Sequence, residues 1–64
     1  MNYQEVWYIA PAIGYHRGRM IVSRNTTAVN ADMSAFDAFL QHVKPEWQNT
    51  AVRAHDQGIT EGNV

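Results

Sequence analysis

With 64 residues, no cysteine and a formal charge of −1, the chain has room for one domain and no disulfide or thiolate-zinc staple. Its hydrophobic fraction of 45 % argues against disorder along the whole chain, while a charged fraction of 17 % leaves few side chains to cover apolar surface. The slight acidity argues against a dedicated nucleic-acid binder, which needs a positive excess to neutralise phosphates. A small fold without metal or disulfide commonly relies on self-association, and a homodimer is the expectation here.

At the start, YQEVWYIA (residues 3–10) is rich in strand-forming side chains and shows no helical period. One face carries Tyr3, Glu5, Trp7 and Ile9, the other Gln4, Val6, Tyr8 and Ala10. Both are apolar near the middle, as in a strand covered on two sides. The same stretch lacks the basic start and long apolar core of a signal peptide, and no run of about 18 apolar residues follows anywhere. A cytosolic location is therefore expected.

Pro11 and Gly14 mark a connection, and RMIVSR (residues 19–24) predicts a second strand, so the two pair as an antiparallel β-hairpin. The hairpin loop holds the most distinctive local chemistry. Tyr15, His16, Arg17, Arg19 and Arg24 gather three of the five basic residues within eight positions. Arginine's planar fork suits carboxylates and phosphates, which makes this loop the candidate partner-binding site.

From Val29 to Trp47 the large apolar residues fall at Val29, Met33, Phe36, Leu40, Val43 and Trp47, in steps of four and three. That spacing predicts a helix from about residue 31 to 43, with Asn30 or Asp32 as its cap and all six side chains on one seam. Phe39 lies beside the seam, partly exposed. Pro45 either kinks this helix or opens a second one; the favoured reading is a second helix from Pro45 to about Gln57, ended by Gly58. In it Trp47, Ala51 and Ala54 share a face.

The expected fold is α+β: an N-terminal β-hairpin followed by two helices packed on one face of a small antiparallel sheet, completed by dimerisation. Residues 1–58 form the domain and 59–64 a frayed tail. Trp7, Tyr8, Phe39 and Trp47 are the candidate apolar interface.

No metal, cofactor or catalytic role is expected. His16, His42 and His55 include no i, i+4 pair, Ser23 and Ser34 sit in no nucleophile turn, and Glu46 and Asp56 lie too far apart to act together. The expected function is a small cytosolic protein-binding module that docks on a larger partner, in the size range of phage- and plasmid-encoded accessory proteins. The alternative is a nucleic-acid-binding domain that reads through Tyr15–Arg24.

Overall fold

The computed structural model describes all 64 residues, and they form three helices. Helix α1 spans Tyr3–Val22, α2 spans Thr26–Gln41, and a single 3-10 turn at Pro45–Trp47 leads into α3, Gln48–Gly62. The predicted β-hairpin and its sheet do not form. Both expected strands, residues 3–10 and 19–24, fall largely in α1, and the fold is all-α rather than α+β.

The start of α1 is set by a reciprocal cap. The Asn2 side-chain oxygen accepts from the Glu5 amide at 2.9 Å, and the Glu5 carboxylate accepts from the Asn2 amide at 3.0 Å. Pro11 lies inside the helix, where it has no N–H to give to the Trp7 carbonyl. Such a defect costs about 3 kcal/mol, so the helix depends on what its other side buries. That side carries Val6, Ala10, Gly14 and Gly18, each four residues from the last and all buried. Strand propensity loses to this periodic inner row.

The row packs on a matching one in α3, made of Ala51, Ala54, Gly58 and Gly62. Gly58 lies against Pro11 and Tyr15, and Gly62 against Tyr15 and Arg19, so the two helices run parallel. Gly14 and Gly18 complete the contact from the other side, facing His55, Ile59 and Gly62. A methyl group on any of the four glycines would overlap a facing main-chain oxygen, so only glycine permits this approach. Hence α3 does not stop at Gly58; it continues to Gly62, which is buried against α1.

Helix α2 returns the chain and stands farther off, held away by larger side chains. The core joins Phe36, Phe39 and Val43 of this segment to Val6, Ala10, Ala51 and Ala54, with Ile9, Ile13, Leu40 and Trp47 packed around them. The seam read from the sequence is thus largely the inner face of α2: Phe36 and Val43 are buried, and Val29, Leu40 and Trp47 are half-buried, whereas Met33 stays exposed. Phe39 is buried rather than left partly outside. The helix begins earlier than expected because Asn25, not Asn30 or Asp32, accepts from the Ala28 amide at 3.1 Å.

Pro45 opens a new helical segment instead of kinking the old one. Gln48 Nε2 donates to the carbonyls of Leu40 and Val43, both at 3.3 Å, which closes the end of α2. Trp47 meets Tyr3 edge-on at 5.6 Å and carries the Lys44 ammonium 4.7 Å above its ring, tying this corner to the start of α1.

The accessible surface is 4329 Å², close to the ~4,200 Å² that scaling gives for a folded monomer of this mass. Compactness therefore does not require a second copy. No helix is long and apolar enough to cross a membrane.

Candidate functional site

Two regions of α1 carry side chains that the packing alone does not account for. The first faces inward, where α1, α2 and α3 meet. His55 is 2 % exposed and its ring stacks on Phe36, with centroids 3.8 Å apart and planes 13° apart. Its Nδ1 lies 3.6 Å from the exposed Asp56 carboxylate, and its Nε2 has no partner. Burial, followed by the nearby Arg17 guanidinium, holds its pKa below the usual histidine value, so the ring is neutral at pH 7. Arg17 is half-buried, and its Nε is likewise unpartnered. At the rim, His16 Nδ1 bonds the Asp32 carboxylate at 2.6 Å and links α1 to α2.

The expected basic loop is therefore not a loop and not one patch. Arg17 turns into the helix junction, and His16 pairs across to α2. Arg19 Nη1 donates to the main-chain oxygens of Gly62 and Val64, at 3.3 and 3.2 Å. Arg24 sits in the α1–α2 turn with φ of 57°, and Tyr15 is 51 % exposed on the outside of α1. A helix spreads consecutive residues around its axis, so closeness in sequence does not become a shared surface.

The second region is the outer face of α1. Tyr8 is 74 % exposed, and Met1, Tyr15 and Val22 are also open to solvent. With Glu5, Ala12 and Arg19, all exposed, the two tyrosines and Val22 fall at positions 5, 8, 12, 15, 19 and 22 of the helix, while Met1 precedes its cap. Steps of four and three continue through the whole helix, which is the spacing of a helix-pairing seam. No element of this chain covers that face. Of the predicted apolar interface, Tyr8 reaches solvent on this face, and Trp7 is 43 % exposed beside a shallow groove with Arg53, Asp56, Gln57 and Thr60. Phe39 is buried in the core, and Trp47 is half-buried against it.

Two features of the sequence gain their meaning only from the fold. The pattern Ala-x3-Gly-x3-Gly occurs twice, at Ala10–Gly14–Gly18 and at Ala54–Gly58–Gly62, and marks the two surfaces that meet. The outer stripe of α1 is likewise present in the spacing, masked by the strand-forming residues that surround it. The other concavities are open grooves at Asn49–Arg53 and at the α1–α2 turn, and no three His, Asp or Glu side chains come together to hold a metal ion.

No family model matches the chain, and neither curated proteins nor solved structures give a match.

Proposed function

We propose that this chain is a small cytosolic protein-binding module that acts by docking through the outer face of α1, not by catalysis. One observation carries the reading: a helix already fixed to the fold along its inner side presents Tyr8, Tyr15 and Val22 to solvent in register. Tyrosine supplies large contact area at low entropic cost, and it is enriched where protein surfaces meet. The absence of cysteine suits a reducing compartment. The grooves on the surface are open, whereas a catalytic pocket needs to exclude water.

The test compares the chain with a Tyr8→Ala/Tyr15→Ala variant. Both positions are exposed, so the variant keeps its thermal unfolding midpoint within a few degrees. Quantitative cross-linking in the native cytosol then shows the partner species of the parent chain lost from the variant. Equal recovery of the same species by both chains defeats the reading.

A further inference from the structure

We propose that the occupant of this face is a second copy of the chain, with the two α1 helices antiparallel about a two-fold axis at Ala12. This rests on the docking reading of α1 and names what docks there.

The stripe reads alike from both ends. Its members within the helix are Glu5, Tyr8, Ala12, Tyr15, Arg19 and Val22. Pair the helix with itself in reverse so that Ala12 meets Ala12, and Glu5 of each copy falls opposite Arg19 of the other, because the two positions are equidistant from residue 12. Tyr8 falls beside the other copy's Tyr15, within one residue of the same register. Apolar side chains meet apolar ones, and each charge meets its opposite. A parallel pairing instead sets Glu5 against Glu5 and Arg19 against Arg19. The small Ala12 at the axis lets the helices approach while the tyrosines fill the space on either side. Glu5 uses only one carboxylate oxygen in its cap, and Arg19 only Nη1 in its bonds to the C-terminal residues, so both keep groups for the partner.

A helix of 20 residues is about 30 Å long, close to the 33 Å long axis of the molecule. One such seam lies at the small end of specific interfaces, so the dimer forms at micromolar concentration, not below.

Because the chain has no cysteine, single cysteines report the register directly. In the full chain, Ala12→Cys is expected to form a disulfide dimer at least about tenfold faster than the exposed control Thr60→Cys, as a shared axis raises the local thiol concentration. Glu5→Cys and Arg19→Cys are expected to cross-link to each other when mixed, and neither to itself. Sedimentation of the unmodified chain then shows a monomer–dimer equilibrium in the micromolar range.

Cross-linking of Glu5→Cys to itself, or equal rates at Ala12→Cys and Thr60→Cys, overturns the antiparallel pair. So does a chain that stays monomeric at hundreds of micromolar. If that monomer still loses its partner species on Tyr8→Ala/Tyr15→Ala, the face binds another protein and only self-pairing fails. If nothing is lost, both readings fall.

Discussion

Gly14 of α1 faces the main-chain oxygen of His55 in α3 so closely that a β-carbon at this position would overlap it. Gly58 makes the reciprocal contact with the carbonyl of Pro11. Where helices touch so closely, a weak attraction between Cα–H groups and carbonyl oxygens recurs. The tight joint and the looser α2 follow from side-chain size alone.

Gly58→Ala is expected to destabilise the fold by about 3 kcal/mol, at the upper end of overpacking effects, because the obstructing atoms are backbone and cannot rotate away. A domain of this size holds roughly 3–10 kcal/mol in all, so the variant unfolds at a much lower denaturant midpoint or loses its cooperative transition. Ala12→Gly, on the exposed side of α1, is the control and costs about 1 kcal/mol. Equal midpoints for the two variants would remove glycine from its structural role.

Stability is expected to fall as the pH drops below about 6.5. His55 is held neutral in the fold by burial and by Arg17, with Asp56 and Asp32 acting weakly in the other direction. Its folded pKa is thus below the unfolded one, and the unfolded chain takes up the proton first. The loss begins near the ordinary histidine value, grows by at most ~1.4 kcal/mol per pH unit, and levels off below the folded pKa. His55→Phe keeps a ring against Phe36 and removes the orphaned Nε2. Urea titrations at pH 7.5 and 5.5 are expected to show a smaller difference for this variant than for the parent.

Arg24 holds φ of 57°, a conformation that costs a non-glycine residue about 1–2 kcal/mol. Arg24→Gly relieves that strain while adding freedom to the unfolded chain, for a net gain of about 0.5–1 kcal/mol. A raised thermal midpoint checks it. The residue is exposed and makes no side-chain bond in the fold, so nothing offsets the gain.

The His16–Asp32 bond is short at 2.6 Å, yet the histidine is mostly solvent-exposed. Screening by water limits such a pair, and His16→Ala is expected to cost less than about 1 kcal/mol, far below the effect of Gly58→Ala. A larger loss in denaturant titration would show that this link is a main support of the packing of α2 on α1.

How much of the fold is legible in the sequence depends on which physical signal dominates each stretch. Phe36, Leu40, Val43 and Trp47 announce their shared face because large apolar side chains at helical spacing must be buried together along one side. Pro45 likewise declares a break. In α1 the signal is inverted: its buried row is Val6, Ala10, Gly14 and Gly18, whose small side chains register weakly as hydrophobic. Its large residues, Tyr8 and Tyr15, lie outside. Trp7, Tyr8 and Ile9 then look like a strand, and Pro11 with Gly14 like a turn, although all sit within one continuous helix. Those individual preferences lose to contacts with residues roughly forty positions away, which no local window contains. The candidate partner-binding set shares that fate. Arg17, Arg19 and Arg24 are close in sequence, and the helix sends them to three different neighbourhoods.

The joint of α1 with α3 also dictates when the molecule can take shape. Its halves lie far apart along the chain, with Gly62 answering to Tyr15 and Arg19. During synthesis the glycine end of the first helix's inner row waits for α3 to leave the ribosome, and its last contact waits for Gly62. Trimming back past Gly62 opens the end of a clasp and does not merely cut a loose thread.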